Sequence, residues 1–159
     1  MVRGPWGLWD KRGRWSAPVG HAFLLLILVS CVGPAKNFPV FESRAANSAE
    51  TALSAVETVR FAIRDAFRND AFGPYLSVTM EDAEEDVSTA QGHFASIQPP
   101  DDASDRLRTQ TEDLLTRASD AVEQARIAMR RGDLDTLGKL RHTLSAVSDD
   151  LDRFISEHE

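Results

Sequence analysis

A run of carboxylates near the middle of the chain is the first feature that could do chemistry. Residues 80–86 (MEDAEED) contain five carboxylates, and helical spacing would place Glu81 beside Glu85 and Asp82 beside Asp86 on one face. Like charges four residues apart destabilise an isolated helix, and a bound cation or a basic partner would relieve the repulsion. These four residues, called the acidic face below, are therefore predicted either to bind a cation or a partner or to form a solvated helix face.

Histidine is the second residue type that could hold a metal ion. His93 and His142 both fall within predicted helices, so one hypothesis is a metal, haem or small-ligand site between helices that uses them. The other hypothesis is that both are ordinary surface histidines. No histidine of the chain has a glutamate three positions before it, so the Glu-x-x-His motif of ferritin-like di-iron proteins is absent. We predict no metal ligands and no cofactor.

The remaining residues form no arrangement that is typical of an active site. The sequence contains no Gly-x-Ser-x-Gly, no phosphate-binding P-loop and no Gly-x-Gly-x-x-Gly. With one cysteine, Cys31, the chain can form neither an internal disulfide nor a zinc site built on several thiolates. We therefore predict no catalytic residues and a protein that is not an enzyme.

The single cysteine ends a short apolar run near the start of the chain. Residues 22–29 are eight consecutive apolar residues, and residues 1–30 carry four basic residues against one acidic residue. A bilayer core needs roughly 20 apolar residues in a helix, so this run is too short to span it. A basic segment, a short apolar run and small residues in that order predict an export signal over residues 1–30.

The last residues of this signal resemble the lipobox of bacterial lipoproteins. Leu28, Val29, Ser30 and Cys31 supply an aliphatic residue, a tolerated residue, a small residue and the cysteine. The resemblance implies a diacylglyceryl group on the Cys31 sulfur and cleavage between Ser30 and Cys31. Two acyl chains hold a protein at a bilayer far more firmly than one. We therefore expect a lipid anchor at the cell membrane, on the extracytoplasmic side; a plain secretory signal with an incidental cysteine is the alternative.

The predicted domain organisation has three parts. Residues 1–30 form the signal peptide, residues 31–42 form the lipidated cysteine and a flexible tether, and residues 43–159 form a helical domain. A glycine and two prolines discourage helix within the tether.

From about Ser43 onward, apolar residues recur at alternating intervals of three and four, which is the spacing of an amphipathic helix. The second of four such segments has an apolar seam at seven positions: Leu76, Met80, Ala83, Val87, Ala90, Phe94 and Ile97. Gly73, the prolines at 99 and 100, and Gly132 separate the segments. Four helices of about 25 residues joined by short turns predict an all-α fold, an antiparallel up-down four-helix bundle.

Helix ends and aromatic residues give further expectations. Asp101 or Asp102 is predicted to cap the third helix, and Asp133 the fourth. Phe67 and Leu134 belong to the apolar stripes of the first and fourth helices and are predicted to be core residues.

Two aromatic residues flank the break between the first two helices. Phe72 and Tyr75 stand on either side of Gly73 and Pro74. They either cover one end of the core or form an exposed aromatic corner for a partner.

Composition limits the classes of function. The chain has 159 residues and a formal net charge of −7, which fits one domain and opposes binding to nucleic acid. We predict a lipid-anchored extracytoplasmic helical bundle that acts as a protein-interaction or envelope-structural module. Its expected partners are the membrane, through the lipid on Cys31, and a protein of the cell envelope. The alternative is a metal- or small-ligand-binding lipoprotein with a site between helices.

Overall fold

The structure, a computed structural model, describes residues 35–68 and 73–158. Four helices and no strand are present in these residues: α1 (Phe38–Arg68), α2 (Gly73–Ala95), α3 (Asp102–Arg131) and α4 (Leu134–His158). The predicted all-α fold is therefore confirmed.

Several sequence predictions fall on residues outside the described ones. These are the signal peptide, the lipobox from Leu28 to Cys31 and the aromatic residue Phe72. Over the part of the chain that is described, no helix is both long enough and apolar enough to cross a membrane.

α1 begins earlier than the sequence predicts. The Asn37 side chain caps it, since its Oδ1 accepts a hydrogen bond from the Val40 amide at 3.2 Å. Pro39 occupies the first turn, where a missing N–H breaks no helical hydrogen bond. Phe41 is fully buried. The predicted flexible tether, residues 31–42, is therefore wrong in its last five residues, which belong to α1.

Aspartates begin α3 and α4, and a glycine separates the two helices. Asp101 Oδ1 accepts a hydrogen bond from the Ser104 amide at 2.8 Å. Asp133 Oδ1 accepts one from the Thr136 amide at 3.0 Å. Gly132 ends α3 with a φ of 64°, a left-handed conformation that glycine adopts without strain. Both predicted caps are confirmed. Of the two candidates for the cap of α3, Asp101 and Asp102, the structure shows that Asp101 is the cap.

The core is built mainly from the predicted apolar seams. All seven seam positions from Leu76 to Ile97 are buried. The predictions for Phe67 and Leu134 are wrong, because these side chains are 42% and 49% exposed. Phe67 is the penultimate residue of α1 and Leu134 is the first residue of α4, so each lies at a helix end with fewer neighbours to cover it.

α1 and α3 form the centre of the bundle. Each packs against all three other helices, whereas α2 and α4 do not meet within the described residues. Small side chains allow this close approach, because interaxial distance depends on the side chains at the contact. The buried alanines of α1 and α3 are Ala45, Ala46, Ala49, Ala52, Ala55, Ala62, Ala118, Ala121, Ala125 and Ala128.

Candidate functional site

The acidic face lies on α2, where the structure separates it from a fifth carboxylate. Glu81, Asp82, Glu85 and Asp86 are exposed. Glu84 is instead half-buried and forms an ion pair with Arg126 of α3, so the run is a solvated face with one inward-facing member. Among residues 35–68 and 73–158, no group of three or more His, Cys, Asp or Glu side chains is placed to hold a metal ion.

The two histidines of the sequence hypothesis lie in different surface grooves. His93 lines a groove between α1 and α2, together with Arg44 and Asp86 of the acidic face. His142 lines a groove between α1 and α4. Both imidazoles are exposed. The structure therefore does not bring His93 and His142 into one site, and the hypothesis of a shared metal or haem site is wrong.

The α1–α4 groove is a concave surface whose charged lining residues are all arginines. It has a volume of about 570 Å³. Its lining, called the arginine groove below, consists of Arg60, Arg64, Gly138, Arg141, His142 and Ser145. Three guanidinium groups share this groove, although the chain as a whole has a formal net charge of −7.

One arginine of the groove is fixed by a network across the α1–α4 interface. Arg60 pairs with Glu57 on its own helix and donates a hydrogen bond to Ser148 Oγ of α4 at 3.1 Å. The Ser148 hydroxyl in turn donates to Glu57 Oε1 at 2.6 Å. Ser148 is buried, with 3% of its surface exposed. This network holds Arg60 in place and neutralises part of its charge.

The other two arginines are held by aromatic rings. The Arg64 guanidinium lies over the Phe61 ring, 5.4 Å from its centroid, and the Arg141 guanidinium lies over the Phe67 ring at 5.9 Å. Both distances are within the range of cation–π attraction. In the described chain neither guanidinium forms an ion pair with a carboxylate. The positive charges of Arg64 and Arg141 are therefore not neutralised by a carboxylate among the described residues.

Six large apolar side chains are exposed in the part of the chain that the structure describes. Five of them, called the aromatic end below, are Phe61, Phe67, Tyr75, Val78 and Leu134. A β-carbon built on Gly138 would lie 3.8 Å from Phe67 Cζ, so the end of α1 lies beside the start of α4. Tyr75 and Val78 lie in the first two turns of α2, the helix that follows α1 in the chain. Tyr75 is 66% exposed, as the aromatic-corner hypothesis expects.

Half of the arginine groove has a signal in the sequence. Arg60 and Arg64 are four residues apart on a predicted helix and therefore share a face. Arg141 and His142 lie almost eighty residues further along the chain. Only the packing of α4 against α1 brings the two pairs together.

Comparisons with known proteins add no relative to this description. No protein-family model, no curated protein and no solved structure matches the chain.

Proposed function

We propose that this protein is a lipid-anchored extracytoplasmic four-helix bundle that binds a protein partner in the cell envelope through its aromatic end. The observation that carries the proposal is the exposure of five large apolar side chains, which belong to the second half of α1 and to the first two turns of α2 and α4. Aromatic residues and arginine are enriched at the centres of protein interfaces. Phe61 and Phe67, each with an arginine over its ring, have that composition.

The position of the proposed anchor supports this assignment. Cys31 precedes the first residue of α1 by seven positions. Phe61 and Phe67 lie about 35 and 43 Å further along α1, at 1.5 Å per residue. A lipid on Cys31 would therefore attach the protein at the end of α1 that is opposite to the aromatic end. That arrangement leaves the aromatic end accessible to an envelope protein.

We further propose that the four helices run alternately up and down. The connections support this arrangement, because only residues 96–101 separate α2 from α3, and residues 132–133 separate α3 from α4. Short connections place sequential helices side by side in opposite directions. The acidic face is exposed on α2 and stays a prediction as a second contact surface.

The anchor is tested by the intact mass of the protein recovered from bacterial membranes. The expected mass is that of residues 31–159 plus a diacylglyceryl group. The matched variant Cys31→Ser should lack the lipid and should leave the membrane fraction. A full-length, unmodified chain in the cytosol would contradict the lipid anchor.

The interface is tested by photo-crosslinking in intact cells. The photoreactive residue p-benzoylphenylalanine replaces Tyr75 in one variant and the exposed Thr109 of α3 in a control. We expect one discrete protein adduct from position 75 and none from position 109. Replacing Phe67 by Ser in the position-75 variant should remove that adduct. Identical labelling from both positions, or an adduct unaffected by Phe67→Ser, would contradict an interface at the aromatic end.

A further inference from the structure

We propose that the arginine groove binds the phosphoryl group of a small ligand. The source of that group is either a soluble phosphate ester or a phospholipid headgroup. The donors of this site are the side chains that line the groove, whereas the proposed protein interface is built on the exposed apolar side chains; Arg64 and Arg141 border both surfaces.

The charge of the groove points to an anion. Arg64 and Arg141 enter it from opposite walls, α1 and α4, and neither is paired with a carboxylate in the described chain. Guanidinium groups donate in a planar fork that matches the oxygens of phosphate and carboxylate groups. Two unpaired guanidinium groups match the charge of a doubly charged phosphoryl group better than that of one carboxylate.

Contacts within the protein restrain the donors of the groove. The two unpaired guanidinium groups are exposed, and each is restrained by a cation–π contact, Arg64 with Phe61 and Arg141 with Phe67. Arg60 is fixed by Glu57 and by the buried Ser148. Groups that are already ordered lose less conformational entropy on binding, which raises affinity.

The size and the remaining lining of the groove fit an organic phosphate. A volume of about 570 Å³ lies within the roughly 300–1,000 Å³ of small-molecule sites, so there is room beyond the phosphoryl group itself. The Ser145 hydroxyl and the His142 ring nitrogens supply further hydrogen-bonding groups. Gly138 contributes no side chain that would fill this space.

The first experiment is titration calorimetry on the full chain with glycerol 3-phosphate, at low ionic strength and constant chloride. Glycerol is the control ligand without a phosphoryl group. We expect saturable binding of the phosphate ester and no binding of glycerol. Arg64→Gln and Arg141→Gln should each weaken binding about tenfold, the effect of losing one charge-assisted hydrogen bond of about 1.4 kcal/mol. Arg131→Gln, an exposed arginine on α3 outside the groove, should leave binding unchanged.

A second arm identifies the source of the phosphoryl group. Vesicles of phosphatidylcholine with and without phosphatidic acid are mixed with the Cys31→Ser chain and its arginine variants. Arginine-dependent preference for phosphatidic acid without binding of the soluble ester supports a headgroup, and the reverse result supports a soluble ligand. The proposal is overturned if neither probe binds, or if Arg131→Gln weakens binding as much as Arg64→Gln. Circular dichroism of each variant establishes that the fold is retained, and the crosslinking result at position 75 is independent of this outcome.

Discussion

The Phe41 ring packs against the Phe94 ring, with centroids 5.5 Å apart and planes inclined by 54°. This tilted geometry is favourable for aromatic pairs. Both side chains are fully buried. The contact joins the first turn of α1 to the last turn of α2. The segment just after Asn37 is therefore part of the folded domain.

The first prediction concerns Phe41. Phe41→Ala removes a buried ring and leaves a cavity, so the free energy of unfolding should fall by about 3–5 kcal/mol. The neighbouring Val40 is 38% exposed, and Val40→Ala should change stability by less than about 0.5 kcal/mol. Urea denaturation followed by circular dichroism measures both variants. Equal, small effects would contradict the placement of Phe41 in the core.

This pair also shows what the sequence could predict and what it could not. The seam from Leu76 to Ile97 was predictable from the sequence. Its seven apolar residues are spaced alternately four and three apart, and this spacing places them on one face of a helix. The start of α1 was predicted five residues too late, because Pro39 was taken as a helix breaker. Proline is tolerated in a first turn, and the Asn37 cap was the signal that would have corrected the boundary.

The arginine groove could not be predicted in the same way. Local spacing places Arg60 and Arg64 on one face of α1, but it does not determine which helix packs against that face. The answer depends on long-range packing, in which the alanine-rich α1 and α3 approach along the diagonal of the bundle. Exposure at helix ends is equally non-local, which is why Phe67 and Leu134 were wrongly assigned to the core.

The second prediction concerns the buried serine that holds Arg60. Ser148→Ala removes the hydroxyl that donates to the Glu57 carboxylate at 2.6 Å. A hydrogen bond of this kind contributes about 1–2 kcal/mol net, and thermal denaturation should show a loss of that order. Ser156 on the same helix is exposed and bonds only to the Asp152 carbonyl at 2.9 Å, so Ser156→Ala is the control. A loss no larger than that of the control would show that the α1–α4 network does not stabilise the fold.

The third prediction concerns acid and the cap of α4. Hydrogen bonds from the amide and the hydroxyl of Thr136 hold the pKa of Asp133 below its ordinary value of 3.8. A carboxyl whose pKa is lowered on folding stabilises the protein above its unfolded pKa, and this contribution is lost as pH falls through the folded pKa. Wild type should therefore have a higher Tm than Asp133→Asn at pH 7. The difference should shrink once the pH falls below about 3.8, the ordinary value.

The control for the cap is Asp149→Asn, which removes an exposed carboxylate from the middle of α4. Scanning calorimetry at pH 7 and pH 2.5 measures all three proteins. For each variant, the Tm of the variant is subtracted from the Tm of wild type at each pH. This difference should change less between pH 7 and pH 2.5 for Asp149→Asn than for Asp133→Asn. A difference for Asp133→Asn that is the same at both pH values would contradict the role assigned to the Asp133 carboxylate.

The last prediction concerns the ion pair between Glu84 of α2 and Arg126 of α3. The side chains are only 27% and 18% exposed, and the hydrogen bond with Glu84 raises the pKa of Arg126 above its ordinary value. Partial burial shields the pair from salt, so a double-mutant cycle with Glu84→Gln and Arg126→Gln should give a coupling of about 1 kcal/mol. The more exposed pair Asp150 and Arg153, one turn apart on α4 with the Arg153 side chain 65% exposed, should give only about 0.3–0.5 kcal/mol. Urea denaturation at low and high salt measures both cycles. The coupling of Glu84 and Arg126 should persist at high salt, because both side chains are partly buried between two helices. A coupling energy that disappears at high salt would show that this pair behaves like an exposed surface pair.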